Sequence, residues 1–221
     1  MPARFDTSSA ASSIAGRPTR SGAWTLVGRC AAGAMAELYF AQPTAALNRH
    51  EAPRYVVKIL REEFRHDAFV RGRFALEARL GRKLSHPHLV PVLDADPGAE
   101  TPYMVMPRLN GTTVAERIRA ARRTPLAQIW GVARQAAAAL AELHELGYLH
   151  GDVKPANIVV ADDGHATLID LGSAMPLDAK TTARRRFAGN AGLLRRNNWR
   201  GHCEPIIGAI CTRSELCCGK C

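Results

Sequence analysis

The run His150-Gly-Asp-Val-Lys-Pro-Ala-Asn157 places a carboxylate, a lysine two residues on, and an amide three beyond that. Ile169-Asp-Leu-Gly172 adds a second carboxylate between an apolar run and a glycine. Phosphoryl transfer calls for this set. It needs a base beside the attacking hydroxyl, a cation for the moving phosphate, and hard oxygens for a divalent metal. Asp152, Lys154, Asn157 and Asp170 supply all three. Taken singly, other polar residues read differently. Lys58 alone is an edge-strand lysine, Glu77 a helix-surface carboxylate, and His86, His88 and His150 structural histidines. The joint spacing of the two aspartates and the asparagine makes the case.

Strands and helices must hold these groups. Trp24-Thr-Leu-Val opens an extended run, Cys30-Ala-Ala-Gly-Ala-Met-Ala is a small-residue turn, and Glu37-Leu-Tyr-Phe-Ala resumes the strand. Arg54-Tyr-Val-Val-Lys-Ile-Leu, Leu89-Val-Pro-Val-Leu and Tyr103-Met-Val-Met complete five strands. Residues 67–84 carry apolar positions at helical spacing and stop before Ser85-His-Pro, since a residue preceding proline avoids the α region. Beyond residue 107 the chain turns helical, at 114–121 and 126–146, the latter stopped by Gly147. Two short apolar runs, at 158–160 and 167–169, flank the turn Asp162-Asp-Gly. Five strands with one helix, then helices, is an α+β layout in two lobes.

These motifs, in this order, resemble a eukaryotic-type protein kinase domain of the bacterial Ser/Thr class. The resemblance runs from about Trp24 to Asp178, with traces to Gly189. It implies a two-lobed fold, with a small lobe of five-stranded antiparallel sheet plus one helix. It implies ATP and Mg²⁺ as cofactors and a protein Ser/Thr hydroxyl as acceptor. Asp152 would orient the hydroxyl proton and Lys154 balance charge on the transferred phosphate. Asn157 and Asp170 would hold the metal, and Lys58 would clamp the phosphates and pair with Glu77. Cys30, Gly33, Leu38, Val56, Met106 and Leu109 would line the nucleotide site, with Met106 as gatekeeper. Lys154 two residues after Asp152 is the Ser/Thr pattern. Three departures stand out. The glycine-rich loop reads Ala31, Gly33 and Ala36, the arginine before the catalytic aspartate is Gly151, and Leu171 replaces the usual phenylalanine. The loss of that arginine argues against switching by loop phosphorylation. Two rival readings share these residues: a pseudokinase that only binds, and a small-molecule phosphotransferase, where His-Gly-Asp also occurs.

The chain has 221 residues, a net charge of +10 and 47% hydrophobic residues, which suits a globular domain and excludes wholesale disorder. The charge is thinly spread, without the interleaved aromatics of a nucleic-acid platform, so no nucleic-acid partner is expected. No apolar run is long enough to span a bilayer, and ATP chemistry places the chain in the cytoplasm. Residues 1–22 read as a disordered lead. Residues 23–189 read as the kinase domain, divided near residue 106 into a small lobe and a partial large lobe (107–189). Residues 190–221 hold five of the six cysteines and lack the expected Ala-Pro-Glu and central-helix motifs. Neighbouring reading frames permit Thr-Pro-Gly-Tyr, Ala-Pro-Glu and a central-helix segment in order. The tail therefore reads as a shifted frame, and the large lobe as incomplete. Composition says nothing of oligomeric state.

Overall fold

The computed structural model describes residues 20–47, 50–120 and 124–177. The tail from 190 and the lead up to residue 19 lie outside these. Strands β1 (Arg20–Ser21), β2 (Trp24–Ala32), β3 (Ala36–Pro43), β4 (Tyr55–Leu60), β5 (Asp94–Asp96) and β6 (Tyr103–Pro107) form one antiparallel sheet in the order β1-β2-β3-β4-β6-β5. Strand alternation sorts its side chains. Leu26, Tyr39, Ala41, Val57, Ile59, Tyr103 and Val105 make one buried cluster. Leu60 and Met104, from alternate positions, bury against Val70, Phe74 and Ala78 of helix α1 (Ala68–Lys83). Lys58 lies opposite Met104 in the ladder and shares that helix-covered face.

Two differences from the sequence expectation have physical reasons. The run 89–93 is not itself a strand. Pro91 has no N–H to give to a ladder, and pairing with β6 settles at Asp94–Asp96. Arg20 and Ser21, expected in the lead, pair with β2 through Gly22. That glycine has φ 55°, and a Cβ there would meet the Tyr103 hydroxyl at 2.2 Å.

Helix α1 starts where Asp67 accepts from the N–H groups of Phe69 and Val70. After β7 (Thr112–Thr113), helix α2 (Val114–Arg119) is started by a Thr113–Glu116 capping box. Helix α3 (Leu126–Glu145) ends at Gly147, whose φ is 80°. Strands β8 (Tyr148–Leu149), β9 (Ile158–Val160), β10 (Ala166–Leu168) and β11 (Met175–Pro176) pair as β10-β9-β7 and β11-β8. One core joins the elements that carry the polar loops: Leu80 of α1 and Leu84 just past its end, Ala139 and Leu143 of α3, then Leu168, Leu171 and Ala174. Among the described residues no helix is long and apolar enough to cross a membrane.

Candidate active site

Strand β4 and helix α1 bring the first charged group together. The Lys58 Nζ donates to both Glu77 oxygens, at 2.7 and 2.8 Å, and to Asp170 Oδ1 at 3.1 Å. Glu77 is buried, with 5% of its surface exposed. Burial pulls the Lys58 ammonium down, but the two carboxylates outweigh it and hold it above 10.5. Burial pushes the Glu77 carboxyl above 4.5, with Lys58 pulling it partly back. Asp170 goes the other way. Burial opposes its charge, yet Lys58 and the Gly172 N–H keep it below 3.8. The lysine is thus held as an ammonium.

Asp170 is the sole non-glycine residue with positive φ among the described residues (φ 66°, ψ 81°). That conformation costs about 1–2 kcal/mol. The buried Leu171 and the ion pair to Lys58 offset it, and they turn the carboxylate toward β4. Leu171 does the packing work expected of an apolar residue after the aspartate.

The second group sits on the loop after β8. Asp152 Oδ2 accepts from Lys154 Nζ at 2.6 Å and from Asn157 Nδ2 at 3.1 Å. The same Asn157 nitrogen donates to the Asp152 carbonyl at 2.9 Å. Its amide nitrogen is therefore spent on Asp152, which leaves the amide oxygen for a cation. His150 is almost fully buried. It accepts at Nδ1 from the Asp152 N–H (3.3 Å) and meets the Ile169 carbonyl through Nε2 (3.2 Å). Burial holds its pKa down, so the ring is a neutral tie between two loops and not an acid or base.

Ile169 was not singled out in the sequence, yet it joins the two groups. Its carbonyl takes His150, and its N–H donates to the Asn157 carbonyl at 2.9 Å. Asp170 follows directly on this pinned residue. Side-chain chemistry could not have revealed it, because only its backbone acts.

Of the predicted nucleotide-lining residues, Leu38 pairs with Lys58 and Val56 with Met106 in the ladder, so these four share one sheet face. Cys30 sits at a β-bulge of β2, and burial pushes its thiol up to about 11. Gly33 turns the β2–β3 connection, its N–H on the Ala36 carbonyl at 2.8 Å. Leu109 stands apart. With Arg108, Asn110, Val159 and Thr167 it lines a groove of about 270 Å³ that contains none of the other predicted residues.

The donor set fits Mg²⁺ bound jointly with phosphates. Asn157 and Asp170 offer hard oxygens, and this ion is commonly held by one or two protein carboxylates plus substrate oxygens. Among the described residues no cluster of three or more His, Cys, Asp or Glu could hold a metal alone.

The model of the protein kinase domain matches residues 39–192. The chain belongs to the protein kinase family. This kinase chain is 34% identical over 166 residues to the probable serine/threonine-protein kinase PkwA of Thermomonospora curvata, covering 74% of this chain and 21% of that one. It is 38% identical over 152 residues to the serine/threonine-protein kinase PknE of Mycobacterium tuberculosis, covering 67% and 25%. The crystal structure of the M. tuberculosis PknI kinase domain superposes with a TM-score of 0.58 at 25% identity, covering 71% of this chain and 62% of that one. The kinase chain therefore spans about a fifth to a quarter of the length of these curated relatives.

Gly151 gains a second meaning here. Its φ is 83°, and a Cβ would lie 2.2 Å from the Ser173 carbonyl oxygen. The space of a side chain's first atom is filled by the backbone that follows Asp170. Restoring the family's arginine in Gly151→Arg is expected to lower stability by about 2–3 kcal/mol, from left-handed strain plus displaced backbone. Urea unfolding of the two proteins checks this. Equal midpoints would show that the loop relaxes without cost.

Proposed function

We propose that the chain is an ATP-dependent protein serine/threonine kinase that moves the γ-phosphoryl of ATP to a protein hydroxyl. The observation that carries this reading is the single constellation in which Lys58 bridges Glu77 and Asp170 while Asp152 is held by Lys154 and Asn157. In it Asp152 accepts the substrate hydroxyl's proton, and Lys154 neutralises charge that grows on the transferred phosphoryl oxygens. Lys58, held by Glu77, contacts the α and β phosphates. Asn157 Oδ1 and Asp170 would hold Mg²⁺, which would supply positive charge against the charge developing on the transferred phosphoryl group. The hinge backbone from Pro107 to Leu109 receives the adenine end, lined by Leu38, Val56, Met106 and Cys30, and the Gly33 turn lies over the phosphates.

The same reading places the chain in the cytoplasm, ends the small lobe near residue 106 and the kinase sequence near 189. It makes 190–221 the product of a shifted frame; an intact frame in the resequenced gene overturns that part. The functional test is calorimetric binding of ATP-Mg²⁺ to the purified full chain, together with transfer of labelled phosphate to protein and to small alcohols. Binding with transfer to Ser or Thr supports the kinase. Binding without transfer makes the chain a pseudokinase, and transfer only to small alcohols makes it a small-molecule phosphotransferase.

A further inference from the structure

Arg73 lies one helical turn before Glu77 on α1, so both side chains project from one face. Its Nε donates to the Gly172 carbonyl at 3.0 Å, and its Nη1 to the Ala174 carbonyl at 3.1 Å. Glu77 abuts the same turn: a Cβ on Gly172 would lie 3.2 Å from its Oε2. Helix α1 therefore meets the Asp170–Ala174 turn through two of its own residues: Arg73 bonds two carbonyls, and Glu77 abuts Gly172 while holding Lys58 of β4, which bonds Asp170. The opposite side of that segment is also fixed. The carbonyl of Ser173, between the two that Arg73 takes, abuts Gly151. Met175 and Pro176 then pair with Leu149 and Tyr148.

We propose that Arg73 is a positioning residue, a built-in cation that clamps the Asp170–Ala174 turn onto helix α1 and holds Asp170 facing Lys58 with no phosphoryl group on the following segment. The proposal deepens the kinase reading and rests on it only for its catalytic consequence. The geometry is reciprocal. An outward swing of α1 breaks the two Arg73 bonds and the Lys58–Glu77 pair together, so helix position and Asp170 orientation move as one. Gly151 is the complement of the clamp. In place of an arginine awaiting a phosphate, the chain has an empty Cβ position into which the clamped backbone fits. A guanidinium suits the task because two of its donors diverge at a fixed angle toward carbonyls two residues apart.

Hydrogen exchange on the full chain without nucleotide tests this directly, using wild type, Arg73→Ala, Arg73→Gln and Arg73→Lys. The expected result is exchange at amides 171–175 faster by about tenfold to a hundredfold in Arg73→Ala, with β2–β6 unchanged. Arg73→Gln and Arg73→Lys, each able to reach one carbonyl, should fall between. Phosphatase treatment should leave wild-type protection intact. Protection at 171–175 that is equal in wild type and Arg73→Gln, or that wild type loses to phosphatase, overturns the proposal, even if Arg73→Ala fails to fold. Where the wild type transfers phosphate, kcat should fall about tenfold in Arg73→Gln with the KM for ATP within about twofold, since the clamp orients Asp170 and leaves the nucleotide-lining residues in place. An equal rise in KM would mark general loosening and count against it. Arg73-dependent protection in a wild type that transfers no phosphate would sink the kinase reading and leave the clamp standing.

Discussion

Asp152→Asn is expected to lower the rate of phosphoryl transfer by about 10²–10⁴-fold, the usual contribution of a positioned general base, while ATP binding stays near the wild-type value. The substitution is informative because it changes chemistry more than structure. An amide oxygen can still accept from Asn157 Nδ2 and Lys154 Nζ, which reach Asp152 Oδ2 at 3.1 and 2.6 Å. Asn157 keeps its 2.9 Å bond to the residue-152 carbonyl, so the loop retains its shape. The lost ion pair is a small matter. Lys154 is 46% exposed and finds water, and such pairs are worth about 0–1 kcal/mol. What disappears is an acceptor for the hydroxyl proton. Single-turnover transfer measured beside calorimetric ATP affinity separates the two effects. A rate within about threefold of wild type would remove Asp152 from the role of base.

The residues that could be read in advance were those whose side chains do the work. Asp152, Asn157 and Asp170 were legible from residue types at set spacing, whereas Lys58 and Glu77, each an ordinary surface charge on its own, were legible only through the resemblance to the kinase family. Helix α1 came within a residue of its expected bounds because Asp67 caps it and the run before Pro87 stops it. Contributions made through the backbone were not legible. Ile169 acts by its N–H and carbonyl alone, and Arg73 acts on two carbonyls, so neither has a partner that a string of side chains displays. Gly151 was legible as a missing arginine but not as a steric need, since the Ser173 carbonyl that fills its Cβ position is 22 residues away. The 89–93 run misled for a related reason. Its apolar content reflects burial of Leu89, Val90 and Val92, while Pro91 denies it a full ladder.

Lys58→Met should be the most damaging single change to both stability and nucleotide binding. Methionine matches the unbranched stem and removes the ammonium. Glu77, 5% exposed, then keeps a buried carboxylate that has lost its bonded cation, with Arg73, committed to two carbonyls, as the cation left nearby. Breaking a buried pair from one side costs about 3–5 kcal/mol, because the remaining charge is uncompensated. The protein has one escape, which is to protonate Glu77. Burial already holds its folded pKa above the unfolded 4.5, and without Lys58 that pKa rises further. A folded pKa above the unfolded one means that stability is greatest at low pH and falls as pH climbs from 4.5 toward the folded value. The slope is at most about 1.4 kcal/mol per pH unit. The variant should therefore lose about 3–5 kcal/mol at pH 8 and markedly less at pH 5, in urea unfolding at both. ATP affinity should fall by about a hundredfold or more, since the phosphates lose their ammonium and Asp170 its anchor. The double variant Lys58→Met with Glu77→Gln separates the causes. It should recover most of the stability at pH 8, because no charge is stranded, and none of the ATP affinity. A single variant within about 1 kcal/mol of wild type at pH 8 would show that water reaches Glu77 and that the pair is not the buried hinge of the site.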